Sequence, residues 1–348
     1  MLESLRSSMT PDTPGLHHVT AIAGDPQRNA DFYVDTLGLR FVKRTVNHDD
    51  TGSYHFYFGD EGGMPGTTIT FFPWTDDGRQ GEFGAGQAQA TAYRIPTESV
   101  DYWRDRLEDR DVDVTETERF GETVLAFADP DGIGLELVAA DDETAHGDPD
   151  EVGTEIDVGD GTIDHGDSIA TTWSASPVPA EHQLRGFHNV TLAVSGIQPT
   201  AAVLTDVLGY ERENEVDGRH RFRSATGGPA SIVDLVETDA NRGRTGVGTV
   251  HHVAFKARDL EEQERWREAY ADHGLSPSEV IDRKYFRSIY AREPGGVLFE
   301  MATMAPGFTE DEDREELGSS LVLPDRLEAE RERIEARLPE FDGPSVEN

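Results

Sequence analysis

Short runs in which apolar and polar side chains alternate predict β-strands at Ser53–Phe58, Thr67–Phe72, His220–Ser224 and Ser231–Val236. These runs belong to a larger repeat. Gly15-Leu16-His17-His18-Val19-Thr20 opens one segment, and Gly186-Phe187-His188-Asn189-Val190-Thr191 opens another 171 positions later. The offset holds without a gap to Leu37-Gly38 and Leu208-Gly209. Each copy reads as strand, turn and helix, closed by Leu-Gly because glycine tolerates the left-handed backbone of a helix C-terminus. A second pair follows. Ala90–Ile95 and His252–Ala257 read as strands ahead of helices that contain Trp103 and Trp266. Asp129-Pro130-Asp131-Gly132 then matches Glu293-Pro294-Gly295-Gly296 at an offset of 164, and the strand after each carries Glu136 or Glu300.

The pattern implies an α+β fold of four βαβββ modules with mixed curved sheets. Two modules fall in each of two tandem domains, 15–140 and 184–304. Between them, 141–183 reads as an acidic linker: 11 of the 27 residues in Asp141–Asp167 are acidic, so this stretch is expected to be exposed. Residues 305–348 read as an acidic helical tail, with Leu327, Ile334 and Leu338 forming a narrow apolar stripe on a helix over Asp325–Leu338.

Charge narrows the partners. The 348 residues include 69 acidic and 31 Lys or Arg, a formal net charge of −38. Such a surface repels phosphate backbones and anionic headgroups, so no nucleic acid and no membrane partner is expected. No apolar run reaches spanning length and Met1–Gly15 lacks the apolar core of a secretory signal, so a cytoplasmic location is expected. Three basic residues are Lys and the rest Arg, while core residues persist throughout. This reads as a folded halophilic protein, because screening over about 3 Å at 1 M salt makes the like charge tolerable. There is no cysteine, so any metal must rest on His, Asp or Glu.

The repeat sorts the metal ligands. The four first-strand slots hold His18, no histidine in Gly86–Ile95, Asn189 and His252; the last-strand slots offer a phenylalanine near Phe71, Glu136, Asp234 or Leu235, and Glu300. His18, His252 and Glu300 make a set of two neutral imidazoles and one carboxylate, provided modules one and four face each other. That donor set, with its remaining positions open, suits non-haem Fe(II) oxygenases, with Mn(II) and Zn(II) as alternatives. Asn189 and Glu136, with His188 or Asp234, form a competing cluster that reads as degenerate and structural. Strand parity puts His18 and Thr20 on one face, and turns His17 and His251 away unless a bulge re-aims them.

At these residues the chain resembles the vicinal oxygen chelate (glyoxalase/bleomycin resistance/extradiol dioxygenase) superfamily, and within it the ring-cleaving hydroquinone dioxygenases. The stretches that carry the resemblance are Gly15–Thr20, Phe41–Val46, Tyr54–Phe58, Gly66–Pro73, Arg185–His188, Val250–Val253, Asp282–Phe286 and Glu293–Glu300, and it runs on to Leu317-Gly318. It implies two tandem vicinal-oxygen-chelate domains. It implies His18, His252 and Glu300 as iron ligands, with His17, Thr20, His251, Arg283 and Tyr290 around the metal. The implied reaction is Fe(II)-dependent cleavage of a small hydroquinone-type aromatic substrate by O2, in a chain that could form a homo-oligomer. Tyr290 or Arg283 would hold developing oxygen charge, and His17 or His251 would take or return the phenolic proton. The alternatives are a catechol extradiol dioxygenase, a glyoxalase-type metalloenzyme using Glu136 as a further acid, and a non-catalytic protein that sequesters aromatic or antibiotic ligands.

Overall fold

The computed structural model describes residues 12–48, 50–75, 78–140, 155–157, 162–164 and 170–346. Module one contributes β1 (Leu16–Ala23), β2 (Arg40–Val46), β3 (Tyr54–Gly59) and β4 (Thr68–Pro73). Module two contributes β5 (Gln87–Ile95), β6 (Thr115–Arg119), β7 (Glu122–Ala128) and β8 (Gly134–Ala139). A two-stranded ribbon of β9 (Glu155–Asp157) and β10 (Thr162–Asp164) follows. Module three holds β11 (Phe187–Val194), β12 (Tyr210–Val216), β13 (Arg219–Ser224) and β14 (Ile232–Glu237). Module four holds β15 (Thr249–Ala257), β16 (Ile281–Asp282), β17 (Arg287–Arg292) and β18 (Leu298–Thr303).

Each module places its helix between its first and second strands. The four are α1 (Pro26–Asp31), α2 (Val100–Glu108), α3 (Ile197–Asp206) and α4 (Leu260–Asp272). In α1, Asp25 accepts the Arg28 N–H at 2.7 Å and Pro26 supplies a preset φ at the first turn. A π turn, Phe32–Thr36, extends α1 to Leu37-Gly38. Gly38 has φ +71° and Gly209 has φ +72°, the left-handed closure the repeat predicts. A Cβ on Gly38 would also come within 2.5 Å of Val178 Cγ2. Trp103 of α2 and Trp266 of α4 are fully buried in one core that spans both halves of the chain.

The modules do not pair as their sequence order suggests. One eight-stranded sheet runs β16-β17-β18-β15-β1-β4-β3-β2 and the other β12-β13-β14-β11-β5-β8-β7-β6. Modules one and four therefore share the first curved sheet, and modules two and three the second. The expected two-module units 15–140 and 184–304 are units of sequence; each sheet draws one module from either side. Antiparallel pairing of β1 with β15 joins the first sheet, and pairing of β11 with β5 joins the second.

One expectation about the connecting segments changes. Of the expected linker, 141–154, 158–161 and 165–169 lie outside the described residues. Residues 170–183 are anchored at intervals: Ala170, Val178 and Gln183 are buried, and Ser176 Oγ donates to the Gly38 carbonyl at 2.8 Å. The tail is less helical than expected, with short 3-10 turns and one five-residue helix, α5 (Arg331–Glu335). Its apolar stripe is real, since Leu323, Leu327 and Ile334 bury against Val46 and Leu338 packs beside them. This covers the edge strand β2, which would otherwise expose unpaired backbone. The outer edges of the second sheet, β6 and β12, are instead guarded by charged and exposed residues. No helix among the described residues is long and apolar enough to cross a membrane.

A buried cation fixes the tail. Lys43 of β2 is fully buried and meets Asp311 at 2.6 Å and Glu312 at 2.5 Å. Tyr285 Oη and Lys284 Nζ reach the same Asp311, which ties the tail to the loop before β17. Replacing Lys43 with Met should leave the largely buried Glu312 without its cation and Asp311 with Lys284 alone, and lower stability by about 3 kcal/mol. Chemical denaturation measures that loss, and limited proteolysis should cut first within 305–318.

Candidate metal centre

The site follows from one row across the first sheet. His18 on β1 lies opposite Ala254 on β15, and Ala254 lies opposite Glu300 on β18. The small Ala254 side chain between them leaves room for the imidazole and carboxylate to converge. His252 stands two residues before Ala254 on the same face, opposite Thr20. His18 Nε2 is 3.2 Å from His252 Nε2 and 3.4 Å from Glu300 Oε2, and His252 Nε2 is 2.8 Å from Glu300 Oε2. All three side chains are buried, and their donor atoms lie within 4.8 Å of one another.

These spacings fit a cation. Ligands about 2.1 Å from a common ion at cis or tetrahedral angles stand roughly 3.0 to 3.4 Å apart. Glu300 Oε2 is buried and makes no hydrogen bond. Ser288 Oγ donates to the other oxygen, Oε1, at 2.5 Å and so fixes the carboxylate. A buried acceptor without a hydrogen-bond partner beside two imidazole nitrogens is what a bound cation would satisfy.

The paired histidines explain how the ligands are held. The β1–β15 ladder shifts register between Leu16 and His18 and between Thr20 and Ala21, which places bulges at His17 and His251. The bulges re-aim both rings toward their neighbours: His17 Nδ1 is 2.9 Å from His18 Nδ1, and His251 Nδ1 is 2.8 Å from His252 Nδ1. His17 Nε2 lies 3.2 Å from the Thr303 carbonyl, which can only accept. The network thus assigns the proton of His17 to Nε2, and His18 Nδ1–H donates to the bare His17 Nδ1. This leaves the His18 Nε2 lone pair for a metal, the usual way a partner orients a ligating histidine.

Burial lowers the pKa of His17, His251 and His252, His251 to about 3, so these rings are neutral at neutral pH. In Glu300 burial opposes ionisation, but His18 and His252 outweigh it and hold the carboxyl well below its usual range.

The triad opens on a cavity of about 310 Å³. Thr20, His251, Arg283 and Tyr290 line it, as their sequence assignment requires. Arg283 Nε donates to Tyr290 Oη at 3.2 Å, and Tyr290 stands opposite Glu300 in the sheet. His17 does not line it. Both its nitrogens are engaged behind His18, one with His18 Nδ1 and the other with the Thr303 carbonyl, so the ring is placed to orient His18 rather than to meet a ligand in the cavity. The structure adds His48, His55, Tyr57, Phe72, Trp74 and Phe286 to the walls. Period-two alternation in β3 already put His55 and Tyr57 on one face, but only the curl of the sheet turns that face toward the triad.

The second sheet repeats the backbone without the chemistry. Asn189, Ala92 and Glu136 form the equivalent row, and Ala90 stands where His252 does. Arg119 pairs with Glu136, Arg221 with Asp234 at 3.0 Å and with Glu122 at 2.8 Å, and His188 with Glu122 at 3.0 Å. Ion pairs fill this half-barrel, and Glu136 lies too far into it to serve as a further ligand for the triad.

A scan against family models matches residues 15–137 and 186–301 to the Glyoxalase/Bleomycin resistance protein/Dioxygenase superfamily. The chain is 42% identical over 334 residues to the "Putative ring-cleaving dioxygenase MhqO" of Bacillus subtilis strain 168, covering 96% of this chain and 98% of that protein. It is 35% identical over 329 residues to the chlorohydroquinone/hydroquinone 1,2-dioxygenase of Sphingobium indicum, covering 92% and 94%. A crystal structure described as a dioxygenase of Bacillus subtilis superposes with a TM-score of 0.84 at 41% identity, covering 96% and 99%. Glyoxalase I of Zea mays shares the fold at 14% identity, with a TM-score of 0.56 over 87% and 96%.

Two outcomes are expected. His17→Leu keeps the packing against Phe286 but removes the acceptor behind His18, so Mn(II) or Fe(II) affinity measured by anaerobic calorimetry should fall about 10- to 100-fold. In the other half-barrel, burial of Glu122 opposes ionisation, but His188 and Arg221 outweigh it and hold its pKa at about 2. A carboxyl depressed from 4.5 stabilises the fold fully above about pH 4.5, and the benefit fades as pH falls toward 2. Glu122→Gln should therefore cost up to about 3 kcal/mol at pH 7, and denaturation curves of variant and parent should converge through that acid window.

Proposed function

The chain belongs to the Glyoxalase/Bleomycin resistance protein/Dioxygenase superfamily, and on that footing we propose that it is an Fe(II)-dependent ring-cleaving dioxygenase of hydroquinone-type aromatics. The observation that carries the proposal is the converged His18, His252 and Glu300 triad at the base of a cavity walled by aromatic side chains. Mn(II) would fit the same donors. The ring-cleaving and hydroquinone names of the full-length relatives support the reaction class.

His18, His252 and Glu300 would hold the metal, which when bound supplies the one-electron chemistry that lets dioxygen react with an aromatic ring. The protein does the rest. Phe72, Trp74, Phe286 and Leu298 give apolar walls that hold a single ring and exclude water. His251 is neutral, and its Nδ1 accepts from His252, so its Nε2 carries the proton and donates into the cavity rather than serving as a base. Arg283 and Tyr290, joined by their hydrogen bond, present a guanidinium and a phenol to an oxygen that gains negative charge.

The test is anaerobic loading with Fe(II), then oxygen-electrode assays on a panel of hydroquinones and catechols. Hydroquinone-dependent oxygen uptake is expected. Glu300→Gln should depress it by at least about 100-fold while weakening metal binding. Turnover confined to catechols would move the substrate assignment, and unaltered ligand binding by Glu300→Gln with no uptake in the parent would replace the enzyme with a sequestering protein.

A further inference from the structure

A continuous hydrogen-bond chain runs along the cavity wall from the metal triad. Thr20 Oγ1 lies 2.8 Å from Thr70 Oγ1, Thr70 Oγ1 lies 3.0 Å from His55 Nε2, and His55 Nδ1 lies 2.9 Å from Tyr57 Oη. The four side chains come from three adjacent strands, with Thr20, Thr70 and Tyr57 in one register row. Thr20 and Thr70 are fully buried and Tyr57 nearly so. Thr20 shares a face with His18 and lies opposite His252, so one end of the chain sits at the triad. His55 lies two strands away, roughly 10 Å across the sheet at ordinary strand spacing.

Every link in this chain can reverse. A threonine hydroxyl donates and accepts at once, and an imidazole can carry its proton on either nitrogen. With the proton of His55 on Nδ1 and donated to Tyr57 Oη, Nε2 accepts from Thr70 and Thr70 accepts from Thr20. Thr20 is then free to accept from a hydroxyl in the cavity.

We propose that this chain is a proton relay, with His55 the store for the proton of the substrate hydroxyl held beside the triad; the proposal rests on the phenolic substrate named above. The substrate O–H bond breaks and its electron pair stays on the oxygen. Thr20 takes the proton and passes its own to Thr70, and Thr70 passes its own to His55 Nε2. The imidazolium formed balances the phenolate, the cavity keeps its net charge, and reversal returns the proton to product.

The surroundings of His55 suit a store that fills only together with an anion. Its ring lies against Tyr57 and Phe72 at centroid distances of 4.1 and 4.3 Å, tilted by 35° and 44°. Burial, then His48 after β2, His18 on β1, Arg283 before β17 and His252 on β15 all push its pKa down. His251, Tyr290 and Glu300 complete the titratable groups of the cavity. His55 therefore rests neutral, with a lone pair available. Of the other histidines on the cavity wall, His18 and His252 are the proposed metal ligands and His251 is a donor.

The variants that decide are Thr70→Val, an isostere without the hydroxyl, His55→Gln, which hydrogen-bonds but cannot be protonated, and Thr70→Ser, which restores the link. With Fe(II) bound, Val and Gln should lower kcat/KM for hydroquinone about 100-fold at pH 7, and the deficit should narrow as pH rises because hydroxide substitutes for the relay. Thr70→Ser should behave as the parent. A second readout needs no turnover: anaerobic binding of 4-nitrophenol, whose phenolate is followed by absorbance. At pH 6 the bound phenolate fraction should fall about tenfold in the Val and Gln variants, one pKa unit on the bound phenol. Equal losses at every pH, together with unchanged nitrophenol ionisation, would overturn the relay and leave a ladder that only ties the strands. A parent that takes up no oxygen would sink the dioxygenase reading instead, and the nitrophenol titration would still decide the relay.

Discussion

The antiparallel pairing of β1 with β15 is the constraint on which everything else depends. It joins residues 227 to 239 positions apart, places Ala254 between His18 and Glu300, and puts His252 one step along the same face. Without it the triad is three unrelated side chains. Its two bulges matter as much as its register, because each turns a histidine that parity would send to the core back against a ligand. The pairing thus sets both the donor atoms and the groups that orient them.

The two half-barrels form a controlled contrast. Their rows, His18–Ala254–Glu300 and Asn189–Ala92–Glu136, occupy equivalent places in equivalent sheets. In the first, neutral imidazoles and apolar walls keep the carboxylate short of partners, the arrangement a candidate cation site requires. In the second, Arg119, Arg219 and Arg221 satisfy Glu136, Asp234 and Glu122, and that capacity is consumed by ion pairs. Burying unpaired charge is costly, so a half-barrel either keeps a ligand site or fills it with counter-charge. Charged groups elsewhere serve the same economy of space. Lys43, sealed in β2, gathers Asp311 and with it the loop that carries Arg283 and Phe286 into the cavity.

Much of this was legible in the residues. The repeat identified four modules, the left-handed glycines after α1 and α3, and a donor set of two histidines and one carboxylate. The resemblance supplied Thr20, His251, Arg283 and Tyr290, and all four line the cavity. His55 and Tyr57 were not singled out, because alternation in β3 shows that they share a face without showing what that face meets. His17 differs for the opposite reason: its neighbour is evident in the residues, but the bulge that engages both its nitrogens behind His18 is a property of strand pairing.

By itself the sequence determined the local elements and the chemical inventory, since periodicity, turn residues and residue type act over a few positions. Which modules share a sheet, which face of each strand points inward and which carboxylate escapes an arginine were decided only in three dimensions. Those outcomes depend on long-range strand pairing and on burial, and both are collective: no single residue carries the free energy that selects β15 rather than β5 as the partner of β1.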